Sequence, residues 1–166
     1  MITRSIVFSK LDYCNAVLYG VSDHNINRFQ RVQNNLARVV CTAPYRTSVI
    51  RLRRSLRWLP IRERITYKIS VMTYKIRSLR KPAYLDELII ESTRSLRSSD
   101  KVLLTEPRTI TMIASRAFGV AAPRTWNGLP LKVRTAPEQR ERVIVSRLIR
   151  PALSIYNSRF YSHTWN

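Results

Sequence analysis

From Ile26 the apolar residues fall at Ile26, Phe29, Val32, Leu36 and Val39. Steps of three and four place them on one face of a helix. Ser22 and Asp23 stand ahead of this pattern as N-cap candidates, and Gly20 closes the preceding 11–19 segment. Pro44 ends the helical region, and a short helical stretch over 48–59 leads to Pro60, a residue suited to the first turn of a helix. The strongest pattern follows. Ile61, Ile65, Ile69, Met72, Ile76 and Leu79 fill an arc of about 80° at 100° per residue, with no Gly or Pro before Pro82. Residues 84–90 read as one more short helix.

Near Ser92 the pattern gives way to a polar, serine-rich run that reads as a linker over 92–101. Beyond it, Val102-Leu103-Leu104 and the segment 110–113 flank Pro107 and suggest a small β-hairpin over 102–114. Short helices are expected over 115–166, one at 117–126 interrupted by Pro123. An amphipathic helix opens at Pro137 and is kinked at Pro151. The expected fold class is mainly α. A helical bundle forms the first half, residues 1–91, and a C-terminal region of 92–166 carries the hairpin and the further short helices.

Charge changes this picture from fold to partner. The 166 residues carry 30 Lys+Arg against 10 Asp+Glu, a formal charge of +20, and 24 of the 30 cations are Arg. A chain so charged repels itself unless a polyanion or partner surface screens it. An acidic disordered regulator, a neutral metabolic enzyme and a secreted disulfide miniprotein are all disfavoured. Nucleic acid and an anionic membrane surface both remain open on charge alone. Length is sufficient for a real core, since a chain of this size buries roughly two-thirds of its unfolded surface.

Cys14 and Cys41 have no CxxC spacing, and the histidines are His24 and His163, so the ligands for a zinc site are lacking and no cofactor is expected. Isolated thiols in an Arg-rich chain read as reduced and intracellular, with nucleus and cytoplasm undistinguished. No apolar run approaches 18 residues, so no membrane span is expected. The first ten residues lack the apolar core of a secretory signal and run directly into a helical pattern.

Several strings occur together and in order: Ser9-Lys10-Leu11-Asp12-Tyr13-Cys14-Asn15, Gln30-Arg31-Val32-Gln33-Asn34, and Ser55-Leu56-Arg57-Trp58-Leu59-Pro60-Ile61. Thr73-Tyr74-Lys75, Tyr84-Leu85, the 94–100 run and Arg116-Ala117-Phe118 follow. The set closes with Ala121-Ala122-Pro123-Arg124-Thr125-Trp126-Asn127-Gly128-Leu129-Pro130. As a set, over about 8–134, they resemble the C-terminal part of the reverse transcriptase of LINE-type, non-LTR retrotransposons. The resemblance implies the thumb and post-thumb region of an RNA-directed DNA polymerase. Arg57 stands where such elements commonly carry His.

The parent activity needs adjacent Asp residues that hold two metal ions. The four Asp here, Asp12, Asp23, Asp86 and Asp100, include no adjacent pair. The expectation is therefore a catalytically incomplete fragment, not an enzyme, that keeps a binding surface for RNA or RNA–DNA duplex. Alternatives are an interaction module that packs on the remaining polymerase domains and a relic reading frame without function.

Residues 46–81 hold 9 Arg and 3 Lys against Glu63. Arg51, Arg53, Arg54, Arg57, Arg62, Arg64, Lys68 and Lys75 are the expected phosphate contacts, since guanidinium forms bidentate bonds to phosphate. Arg64, Lys68 and Lys75 share one flank of the long helix, beside Tyr67 and Tyr74. These tyrosines read either as base-stacking rings or as edge-of-core residues. Trp58 and Trp126, each just ahead of a chain reversal, read better as anchors of loops onto the core than as stacking rings.

Overall fold

A computed structural model describes residues 9, 13, 15–92 and 103–134. Its contacts divide the chain into two compact units, Met1–Lys68 and Ile69–Asn166. The described residues are mainly helical, as expected.

In the first unit a 3₁₀ turn, Asn15–Leu18, ends at Gly20, whose φ of 71° is open to glycine without steric cost. Helix α1 spans Asp23–Val40, α2 spans Val49–Ser55, and α3 spans Ile61–Leu79, with its residues up to Lys68 in this unit. Ser22 occupies the N-cap position of α1 but makes no side-chain cap bond. Asp23 instead pairs with Arg62 at the surface.

The buried face of α1 differs from the apolar stripe expected of it. Ile26, Leu36 and Ala37 are buried, but Val32 and Val39 are exposed, and the polar Gln33 is fully buried. Its position follows from a hydrogen bond. Gln33 Nε2 donates to the Leu59 carbonyl at 2.7 Å, a buried bond across 26 residues of sequence. Gln30 Nε2 donates to Gln33 Oε1 at 2.8 Å and to Asn34 Oδ1 at 2.9 Å. Gln30 Oε1 in turn accepts the Ile61 N–H at 3.0 Å, one of the donors that the first turn of α3 leaves without a helical partner. Around this network Trp58 packs with Leu36 and Ala37, flanked by Leu52 and Leu56.

Three helices end on a residue in the left-handed region, and none of the three is glycine. Thr42 (φ 48°), Arg57 (φ 55°) and Arg80 (φ 52°) hold these positions. After α1, the Ala43 and Thr42 N–H groups donate to the Arg38 and Val39 carbonyls at 3.0 and 3.2 Å. After α2, Trp58 and Arg57 donate to Arg53 and Arg54 at 2.8 and 3.0 Å. Both pairs form Schellman caps. The second is completed by Trp58 and Leu52 joining one apolar cluster.

The second unit contains the rest of α3, then α4 (Ala83–Asp86), a 3₁₀ turn (Ala114–Arg116), α5 (Phe118–Asn127) and α6 (Leu131–Arg134). Its core joins Ile76, Ile89, Leu104, Trp126, Leu129 and Val133, with Tyr74, Leu85 and Phe118 packed against it. Trp126 is 2% exposed. Burying an indole removes roughly 200 Å² from water, about 5 kcal/mol before entropy is counted. The Arg77 guanidinium lies 4.9 Å from the Trp126 ring centroid and bonds Glu91 Oε1 at 3.0 Å.

The β-hairpin expected over 102–114 does not form among the described residues. Leu104 instead bridges Glu91 in antiparallel register, with Ser92 N–H donating to Leu103 O and Thr105 N–H to Ile90 O. The opposite edge of Leu104 is where a further strand would pair. The Asn127 amide occupies it, accepting the Leu104 N–H and donating to the Leu104 carbonyl, both at 2.9 Å. Ile110, Met112 and Ile113 are exposed, in a turn leading to the 3₁₀ segment. Pro123 does not interrupt α5 either. It forfeits one backbone bond, but its ring is fully buried, so the apolar contact offsets the missing N–H. The linker residues 93–101 and the helix expected from Pro137 lie outside the described residues.

Two substitutions test these bonds. Gln33→Ala orphans the buried Leu59 carbonyl and leaves a small void, and should lower stability by about 2–3 kcal/mol, read as a shift of the urea midpoint. Asn127→Asp keeps the acceptor for the Leu104 N–H but sets an anion against the Leu104 carbonyl and Glu106, which Asn127 also bonds at 2.9 Å. It should cost about 2 kcal/mol at neutral pH. Part of that loss should return in acid, where the new carboxyl regains a proton to donate.

Candidate nucleic-acid interface

No Asp or Glu occurs between Asp23 and Glu63, while Arg28, Arg31, Arg38, Arg46 and the run from Arg51 to Arg62 fall in that interval. Asp23 is committed to Arg62 at the surface, and Glu63 is half-buried on the first turn of α3. The cations between these two acids therefore have no carboxylate within their own segment.

The expected contacts divide by position. Arg51 and Arg54 sit three apart on the outer side of α2, exposed and without a side-chain partner among the described residues. Arg57 is exposed at the left-handed position after that helix. Arg62 is exposed but paired with Asp23, and Lys68 is exposed on α3. Arg64 is half-buried and makes contacts within the protein.

Arg53 departs from the expected surface. It is 7% exposed and partnered inside the fold. On α2 it lies about 40° from Val49 and 60° from Leu56, so the helix turns it toward the side that packs inward. Its charge is not available to an external phosphate.

Lys75 is exposed in the second unit. Tyr74, expected beside it as a stacking ring or an edge-of-core residue, is the latter: it packs on the second core with its hydroxyl buried. Tyr67 is half-buried and makes contacts within the protein. Trp58 and Trp126 are both buried, which leaves neither free to stack on a base.

One polar row containing three arginines departs from the expected contacts. His24, Arg28, Arg31, Asn35 and Arg38 recur at steps of four and three along α1, within an arc of about 80°. Arg28 and Arg31 are exposed and have no side-chain partner among the described residues. The signal in the sequence is the spacing of three and four alone, since the charge of α1 is sparser than that of 46–81.

The second unit is organised differently. Arg77 and Arg80 both reach Glu91, Arg80 also pairs with Asp86, and Arg124 lies 3.8 Å from Glu106. Among the described residues no group of His, Cys, Asp and Glu side chains could hold a metal ion, and no helix is long and apolar enough to cross a membrane. Comparison with protein-family models, curated proteins and solved structures finds no match to this chain.

Arg57 separates stability from binding. A non-glycine residue in the left-handed region costs roughly 1–2 kcal/mol, while glycine adds about 0.4–1 kcal/mol of unfolded-state entropy. Arg57→Gly should therefore raise stability by about 0.5–1 kcal/mol while weakening binding to a duplex. Thermal melts and a binding titration on one preparation would show the two effects moving in opposite directions.

Proposed function

We propose that the chain binds RNA or RNA–DNA duplex through the sugar–phosphate backbone, as the thumb-type remnant of a LINE-type reverse transcriptase. The contact surface is the carboxylate-free segment 24–62, and the reading contains no catalytic step. One observation carries it. Arg28, Arg31, Arg46, Arg51, Arg54 and Arg57 are exposed and lack side-chain partners among the described residues, whereas Arg77, Arg80 and Arg124 of the second unit are paired with its carboxylates.

Such a surface suits a polyanion for three physical reasons. Guanidinium groups bond phosphate oxygens in a bidentate fork. Neutralising them on a duplex releases condensed counterions, which supplies much of the free energy. The residues lie on α1, on α2 with its cap and on the turn between the two helices, and this spread favours backbone charge and duplex shape over the reading of base edges. The resemblance over 8–134 supports a polymerase origin for the same surface.

A second reading is favoured by Ile110, Met112 and Ile113, which are exposed together in the second unit. Apolar side chains so placed fit an element that packs on another polymerase domain. Sedimentation of the chain at rising concentration checks this: a monomer throughout speaks against it.

The main reading is tested by the salt dependence of binding to a fluorescent RNA duplex. The Arg28→Ala/Arg31→Ala/Arg51→Ala/Arg54→Ala variant should lose affinity, and the slope of log K against log salt should become shallower by about 0.9 for each contact removed. Lys81→Ala/Arg108→Ala, which removes exposed charge from the second unit, should leave the slope nearly unchanged. Equal slopes for all three proteins would sink the assignment to residues 24–62.

A further inference from the structure

The loop joining α1 to α2 carries an aromatic ring at the surface. Tyr45 is 84% exposed. The backbone beneath it is held at both ends. The Schellman cap ties Ala43 and Thr42 back to α1, and the Thr47 N–H donates to the Pro44 carbonyl at 2.9 Å. Tyr45 and Arg46 are therefore the two central residues of a hydrogen-bonded turn, with proline in front of them. Thr42, a β-branched residue at φ 48°, holds a conformation that such residues rarely adopt.

One face of the ring is already occupied. The Arg38 guanidinium lies 4.8 Å from the Tyr45 centroid, and its Nη1 donates to Asn35 Oδ1 at 3.3 Å. The cation–π contact and the Asn35 bond together restrict both side chains. The other face of the ring is open to solvent. Arg46 is exposed beside it in the same turn, without a side-chain partner among the described residues. Arg31 stands two helical turns before Arg38 in the same row on α1.

The geometry points to a stacking platform for one unpaired nucleobase: Arg38 backs the Tyr45 ring, the base covers its free face, and Arg46 and Arg31 take the flanking phosphates. This rests on the polyanion reading of segment 24–62 and adds a contact that reading does not require. Backbone charge alone treats single strands and duplexes alike in kind. A ring can stack only on a base whose face is free, so it selects a single strand or an overhang. A nucleobase fits better than a lipid surface because Tyr45 is flanked in its turn by Pro44 and Arg46, which offer little apolar area to insert.

The test titrates the full chain, with Tyr45→Ala and Tyr45→Phe, against four labelled probes. These are a single-stranded RNA, the same sequence as DNA, its abasic counterpart, and a blunt duplex. Tyr45→Ala should weaken binding to both single strands by roughly 5- to 150-fold, the range for loss of one stacked base. The salt slope should not change, Tyr45→Phe should bind as wild type, and neither variant should alter binding to the abasic strand or the duplex. Circular dichroism melts confirm that both variants fold.

Unchanged single-strand binding by Tyr45→Ala, with wild type still bound, overturns the platform and leaves the backbone reading intact. An equal loss on the abasic strand overturns it too, as does a loss confined to RNA, which would place the contact on the 2′-hydroxyl. With phosphatidylserine vesicles titrated alongside the four probes, a loss seen only on the vesicles would overturn the platform and assign the ring to a membrane. Failure of the wild type to bind any nucleic acid would remove both readings together.

Discussion

The bond from the Gln33 amide to the Leu59 carbonyl fixes the corner on which the first unit is built. It is short, buried, and joins the middle of α1 to the segment that turns α2 into α3. Without it the Leu59 carbonyl would be buried unpaired, at a cost comparable with much of a small unit's net stability. Gln30 extends the same network to the Ile61 N–H, so α3 begins where α1 permits it. Trp58 then fills the space between Leu36, Ala37 and Leu52. Asn127 plays the matching part in the second unit by bonding both polar groups of Leu104.

Neutral amides suit a chain with so few carboxylates. Asp and Glu are scarce in the first unit, and the ion pair of Arg62 with Asp23 is exposed and contributes little. The interior is joined by carboxamides and apolar side chains, and Arg28, Arg31, Arg46, Arg51, Arg54 and Arg57 stay exposed. In the second unit Asp86, Glu91 and Glu106 pair with Arg77, Arg80 and Arg124. Fold and candidate function thus draw on separate sets of residues.

Three of the strings on which the proposed polymerase origin rests fall on these corners. Gln30 to Asn34 meets Trp58 to Ile61 through buried hydrogen bonds, although 23 residues lie between the two strings in the sequence. Trp126 and Asn127 hold the second core and its edge. These residues are therefore accounted for by architecture. The exposed arginines and Tyr45, on which the proposed binding depends, lie mostly outside them.

Helical periodicity by itself determined where α1, α2 and α3 run and that Ile61, Ile65, Ile69 and Ile76 face inward, because a 3.6-residue repeat records which face leaves water. Charge by itself pointed to an anionic partner surface without separating nucleic acid from membrane. Which polar residues go inside was decided only by tertiary structure. Gln33 and Arg53 are buried and Val32 is exposed because hydrogen bonds and contacts from distant segments outweigh local hydropathy. The same holds for the missing hairpin, since Asn127 takes the edge of Leu104 from 23 residues away. Hydropathy reports the average tendency of a side chain to leave water. It carries no record of which partner waits at the buried position, and that partner settles the outcome.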